Sequence, residues 1–216
     1  MCDQKNGENG VDLTTLGLPI RGLVQTDEEG RDNNVLPRIE MVDGLTRVFH
    51  REFFNMQYET QWQIAARKQD DLALFIIDVD EFNAFNALDR RSGDYALQKI
   101  AKALSLLFRR ATDFVARYEG DRFVVLAMEM SEAQARVHAL RVCDRVQSLR
   151  ILNRQTQQYL SVCVGYVAGV PHADQTPQHM LEIAANNLKL AKSLGKGTMH
   201  GSETISLSES GVCLVE

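Results

Sequence analysis

From Asp43 onward the apolar positions switch between two spacings, and no repeat of fixed length interrupts them. Phe54, Tyr58, Trp62 and Ala65 return every three or four residues, which predicts a helix from about His50 to Gln69. The unbroken apolar run that opens at Leu72 and ends in acids at Asp80 predicts a buried strand. Leu97, Ile100, Leu104 and Leu107 form the core stripe of a second helix ending near Arg110. Phe114 to Tyr118 and Arg122 to Met128 read as two strands joined by the tight turn Glu119-Gly120-Asp121, a β-hairpin. Ser131 with Gln134 makes a capping box for a third helix carrying Ala135, Ala139, Val142, Val146 and Leu149 on one face. Leu160 to Val170 is a further strand. Thr176-Pro177 opens a fourth helix and Gly195 closes it, and a short strand follows at Thr198 to Gly201. The order predicts an α/β (α+β) fold, one mixed sheet with helices packed on it.

Composition changes this picture mainly at the ends. The chain has 216 residues, 44% hydrophobic and 25% charged, enough for one core of domain size. Residues 1–36 carry a net −4 of the total −5 and five of the fourteen glycines, and Phe49 is the first aromatic residue. Such a stretch buries too little surface to offset its ordering entropy, so 1–40 is expected to be an acidic flexible tail, 41–203 the folded domain and 204–216 a second tail. No apolar run is longer than Leu72 to Ile77, far short of the roughly 18 residues of a membrane span. With no signal-peptide pattern and no paired or clustered cysteines among Cys2, Cys143, Cys163 and Cys213, the expected location is cytoplasmic. A pI of 5.6 without a basic face argues against nucleic acid as a partner.

Chemistry in such a fold sits on strand ends and turns. Asp78 and Asp80 point the same way at the end of the first long strand and could together approach a hard cation such as magnesium; a solvated strand edge accounts for them equally. Asp121, at the hairpin tip, is common there for turn reasons alone.

Several stretches then carry a family resemblance. Asp43-Gly44-Leu45-Thr46, with Arg51 and Phe53, is similar to D-x-L-T-G-L-x-N-R-R-x-F. Phe75 to Phe82 with Asn86, Gly93 and Asp94 is similar to D-I-D-x-F-K-x-x-N-D-x-x-G-H-x-x-G-D. Ala116-Arg117-Tyr118-Glu119-Gly120-Asp121-Arg122-Phe123 stands where A-R-x-G-G-D-E-F belongs, Val162 to Gly165 resembles V-S-I-G, and Ala191-Lys192 with Gly195-Lys196 resembles A-K-x-x-G-R. The segment Asp43 to Met199, 157 residues, thus resembles a GGDEF domain, the family of diguanylate cyclases that join two GTP molecules into cyclic di-GMP. The resemblance implies a five-stranded, mixed and mainly antiparallel sheet surrounded by helices, the nucleotidyl-cyclase palm. It implies magnesium as cofactor, held by Asp78, the Val79 carbonyl and Asp121. Asn86 and Asp94 would read guanine, and Lys192 and Lys196 would meet the triphosphate.

The departures argue against catalysis. Arg122 replaces the signature glutamate, turning −1 into +1 beside the expected metal; two unit charges about 4 Å apart are worth roughly 4 kcal/mol at an effective dielectric of 20. Glu119 replaces the first signature glycine, Asn83 the phosphate-side lysine, and the stretch between Asn86 and Gly93 is one residue short. The acid and tyrosine of A-D-x-A-L-Y are absent from Ala184 to Lys189. By contrast Arg110-Ala111-Thr112-Asp113, five residues before Glu119, matches the family's R-x-x-D product-inhibition site, with Arg141 as its secondary arginine. A helix-end arginine and a turn-forming aspartate would also account for Arg110 and Asp113. The reading is a catalytically inactive GGDEF-like domain that binds cyclic di-GMP through Arg110, Asp113 and Arg141 and signals to a protein partner, with a homodimer as a further expectation. The alternatives are an active diguanylate cyclase and a protein-interaction scaffold without nucleotide.

Overall fold

Leu72–Val79 is buried at every position, because helices cover both faces of the sheet around it. The computed structural model describes residues 41–204, apart from 173 and 174; the expectations placed on 1–40 and on 205–216 lie outside the described residues. The elements are β1 (Phe49–His50), α1 (Arg51–Lys68), β2 (Leu72–Val79), α2 (Phe82–Leu88), α3 (Arg90–Leu107), β3 (Phe114–Glu119), β4 (Arg122–Met128), α4 (Glu132–Gln147), β5 (Leu152–Asn153), β6 (Gln158–Tyr159), β7 (Val162–Gly169), α5 (Pro177–Leu194) and β8 (Met199–Glu203).

The main sheet runs β1-β3-β4-β2-β7-β8. Its β3-β4, β4-β2 and β2-β7 pairs are antiparallel, and only the edge pairs β1-β3 and β7-β8 are parallel. This is the mixed, mainly antiparallel sheet expected, with six strands rather than five. The addition is the two-residue β1, too short to leave a period in the sequence. The last strand also runs to Glu203 rather than ending at Gly201. Thr204, expected in the tail, is fastened to the end of β7: its N–H donates to the Ala168 carbonyl (3.0 Å) and its hydroxyl to the Val170 carbonyl (3.0 Å).

Alternation along β2 divides the core. Ala73, Phe75 and Ile77 face α3 and α4 through Leu97, Ile100, Leu104, Ala139 and Val142. Leu72, Leu74 and Ile76 face α1 and α5 through Phe54, Tyr58, Ala184 and Leu188. Trp62, on the predicted face of α1, is only half-buried at its rim. The capping signals act as expected: Thr176 accepts from the His179 N–H (3.2 Å), and the Ser131 N–H donates to Gln134 Oε1 (3.0 Å).

Helix α5 lies unusually close to the sheet at Gly165. A methyl group there would stand 2.2 Å from Leu188 N and 2.4 Å from Ala184 O, both helix backbone. Gly165→Ala must therefore push α5 outward, and we expect a loss of about 2 kcal/mol by urea unfolding, in the range for overpacked cores.

Besides β1, three elements escaped the sequence reading. One is α2, which places Phe82 and Phe85 in the core; the others are β5 and β6, which form a separate two-stranded ribbon.

Candidate functional site

β2 and β4 pair so that Asp78 stands directly opposite Arg122, with Cys163 across from it on the other side. Residues so placed on one face are near neighbours, and here their charges are opposite. Arg122 donates from Nε (3.2 Å) and from an Nη (3.1 Å) to Asp78 Oδ2. Lys192, two residues before the end of α5, donates from Nζ to the other oxygen, Oδ1, at 2.5 Å. The Asp78 side chain is 8% exposed, against 41% for Arg122 and 45% for Lys192. The two cations therefore close over a buried carboxylate from the solvent side.

Asp80 does not join it, which corrects the expectation of a shared cation. Its Oδ2 accepts from the Ser161 hydroxyl (2.6 Å) and the Gly197 N–H (2.8 Å), tying the β2 end to β7 and to the α5–β8 connection. Equal side-chain direction along a strand does not prevent a strand end from turning one member into a loop brace. Lys196 pairs with Glu81 (2.7 Å). Asn86 packs its Oδ1 against Gly93 without a hydrogen-bond partner, and Asp94 lies exposed on the first turns of α3.

Asp121 is half-buried beside this cluster. Burial, and then the nearby Asp78 carboxylate, push its carboxyl above the ordinary 3.8. The folded state accordingly takes up this proton before the unfolded state does, so ionised Asp121 costs stability at neutral pH. Asp121→Asn should raise the melting temperature at neutral pH, with the gain fading as pH falls toward and below 3.8. A gain that persisted in acid would mean that the charge is not its source.

The hairpin tip that carries Asp121 is itself pinned. Gly120 adopts φ +53°, a left-handed turn position that favours glycine. Arg117 Nε donates to the Gly120 carbonyl (2.8 Å), while its Nη1 meets Asp43 Oδ1 (3.3 Å). Asp43 in turn accepts from the Thr46 N–H (2.8 Å) and hydroxyl (2.6 Å). The residues of the opening motif thus brace the hairpin tip.

As arranged, these groups do not fit a magnesium ion. Both oxygens of Asp78 are held by cations, and among the described residues no group of three or more His, Cys, Asp or Glu side chains is disposed to hold a metal. The Val79 carbonyl belongs to a residue paired with Val162 in the sheet.

At the opposite end of α3 the chain turns from Phe108 into β3. The Arg110 N–H donates to Asp113 Oδ2 (2.9 Å), and the Asp113 N–H to the Arg110 carbonyl (3.0 Å). The turn accounts for one carboxylate oxygen only. Asp113 Oδ1 is buried without a partner, and burial pushes this carboxyl above its ordinary range. Among the described residues the Arg110 guanidinium makes one long hydrogen bond, 3.5 Å from Nη1 to the Glu129 carbonyl. Arg110, Met130 and His138 are shared by two adjoining clefts of about 370 and 570 Å³; Arg141 and Gln134 line the first and Asp113 the second. His138 Nδ1 is likewise buried without a partner, and burial followed by the Arg141 charge lowers its pKa, which favours the neutral ring.

The fold therefore brings Arg110, Asp113 and Arg141 to two adjoining clefts that share Arg110, and adds His138, which the sequence reading missed. The one available signal was its position on α4, three residues before Arg141, where helical spacing puts both on one face.

Palm-like sheet, braced signature hairpin and this second concavity together define the class, and comparison with known proteins agrees. The family described as "Diguanylate cyclase, GGDEF domain" matches residues 40–198. The chain belongs to this family, with Glu119-Gly120-Asp121-Arg122-Phe123 at the signature position. It is 29% identical over 157 residues to diguanylate cyclase DosC of Escherichia coli K12, covering 72% of this chain and 34% of that protein. It is 29% identical over 203 residues to diguanylate cyclase TpbB of Pseudomonas aeruginosa, covering 88% of this chain and 45% of that protein. The chain thus spans less than half the length of these curated relatives. Among solved structures, the GGDEF domain of DgcB from Caulobacter crescentus in complex with c-di-GMP superposes with a TM-score of 0.69 at 21% identity, covering 76% and 96% of the two chains. The GGDEF domain of TpbB from P. aeruginosa gives a TM-score of 0.60 at 28% identity, covering 74% and 99%. Among the described residues, no helix is long and apolar enough to cross a membrane.

Proposed function

We propose that this domain binds cyclic di-GMP at Arg110, Asp113, His138 and Arg141, and makes none. What carries the reading is a contrast between two carboxylates. Asp78 has both oxygens engaged by Arg122 and Lys192, which disfavours a metal there that would neutralise charge at a transferring phosphate. Asp113 keeps one oxygen unpaired beside a nearly free guanidinium, the complement of a ligand with N–H donors and phosphates. That DgcB was crystallised with c-di-GMP supports the ligand class, and transmission would fall to a protein partner or to a second copy of the chain.

Calorimetry with cyclic di-GMP should give saturable binding. Incubation with GTP and magnesium should give no cyclic di-GMP above a denatured control. Turnover that disappears in Asp78→Ala would overturn the inactive reading, and absence of cyclic di-GMP binding would leave the scaffold. Arg122→Glu alone should not restore synthesis, because Glu119, Asn83 and the shortened α2–α3 connection remain.

A further inference from the structure

A concavity of about 840 Å³ belongs to neither site. It lies between the first half of α3 and the β5–β6 ribbon. Phe85 and Ile151 contribute apolar lining, and Tyr95, Lys99, Arg150 and Arg154 also line it. Helical geometry separates it from the guanine-side positions. Asp94 and Gln98 share one face of α3, and Gln98 Nε2 reaches the Leu45 carbonyl at 3.2 Å; Ser92, Tyr95 and Lys99 occupy an adjoining face, about 110° round the helix.

Three features set this cleft apart from an ordinary solvated face. Lys99, Arg150 and Arg154 form no ion pair among the described residues, so three like charges line one cleft without an anionic partner there; Asp89, the one carboxylate among the described lining residues, is engaged by the Arg91 N–H (3.0 Å) and the Ser92 hydroxyl (2.6 Å). Tyr95 is 53% exposed, and Lys99 covers its ring at 5.0 Å from the centroid. The far wall is built rather than loose. Asn153 is buried and its Oδ1 accepts from the Gln155 N–H (3.0 Å), the Leu160 N–H donates to the Ile151 carbonyl (2.8 Å), and Arg150 takes φ +51° where α4 hands over to the ribbon.

A concave site of roughly 300–1,000 Å³ with an apolar base and a few convergent charges suits a small ligand rather than a flat protein face. Unpaired arginines suit phosphate, and an exposed tyrosine suits a stacked planar ring. We propose that this cleft binds a mononucleotide, its base against Tyr95 and its phosphates against Arg150 and Arg154. The proposal is independent of the cyclic di-GMP reading, since the two sites share no residue.

Calorimetry on the full chain with GMP, ATP, inorganic phosphate and an aspartate-rich peptide tests it. Saturable binding of GMP and ATP is expected, with phosphate much weaker. Arg150→Ala with Arg154→Ala should weaken nucleotide binding about tenfold or more, and Tyr95→Ala should weaken nucleotides while sparing phosphate. All three side chains are exposed, so the fold is not at risk. Arg110→Ala and Lys192→Ala, which alter the two sites described above, should leave this affinity unchanged. The proposal is overturned if neither nucleotide saturates, if binding survives the double arginine variant, if phosphate binds as well as GMP, or if only the acidic peptide binds.

Discussion

Removing both cations from Asp78, as Arg122→Ala with Lys192→Ala, is expected to destabilise the domain by about 3 kcal/mol, lowering the melting temperature by roughly 6–12 °C. Depriving a buried charge of its partners costs about 3–5 kcal/mol, and the lower end applies because Arg122 and Lys192 are each more than a third exposed and solvent already screens them. Each single variant should cost less, since the remaining cation keeps its own carboxylate oxygen. Adding Asp78→Leu to the double variant should recover most of the loss, because no buried charge is then left unpaired. Magnesium should raise the melting temperature of the double variant more than that of the wild type, whose carboxylate is already occupied. Thermal denaturation of these four proteins checks all of this; a double variant as stable as wild type would show that the cluster contributes nothing.

Arg110→Ala is expected to weaken cyclic di-GMP binding by roughly ten- to hundredfold, because a charge-assisted and bidentate contact contributes about 1.5–3 kcal/mol. The melting temperature should move little, since among the described residues the exposed guanidinium has one hydrogen bond to lose, the 3.5 Å contact to the Glu129 carbonyl, and a solvent-screened attraction to Asp113. Asp113→Ala should lower affinity comparably but also loosen the turn, because Oδ2 holds the Arg110 N–H; Asp113→Asn keeps an acceptor for that bond and isolates the effect on Oδ1. Arg141→Ala and His138→Ala should have smaller effects, as both line the rim beside these two groups. Calorimetry at fixed ionic strength reads each change. Equal affinity after Arg110→Ala would remove the receptor reading while leaving the fold assignment untouched.

Much of the architecture was legible in the chain because it rests on local rules. Thr176-Pro177, Gly195 and the Ser131–Gln134 pair mark helix ends through backbone groups that every helix must satisfy. The apolar run of β2 and the stripes on α3 and α4 report burial directly. The signature hairpin was legible from Gly120, whose positive φ a tight turn requires. Elements of two to seven residues, β1, β5, β6 and α2, were not, because a period cannot be read from one turn of structure.

The identities at the site were likewise sequence properties: an arginine where the family has a glutamate, and an intact Arg110–Asp113 pair. Their consequences were tertiary. Only the β2–β4 register sets Arg122 opposite Asp78, and only the packing of α5 on Gly165 carries Lys192 to the second oxygen. Asp80, adjacent in pattern, was drawn away by Ser161 and Gly197, partners 81 and 117 residues distant. His138 and the cations beside Tyr95 acquired meaning the same way. Local patterns specify which backbone bonds form within a segment, whereas the partner of a charged side chain is set by which segments the sheet brings together.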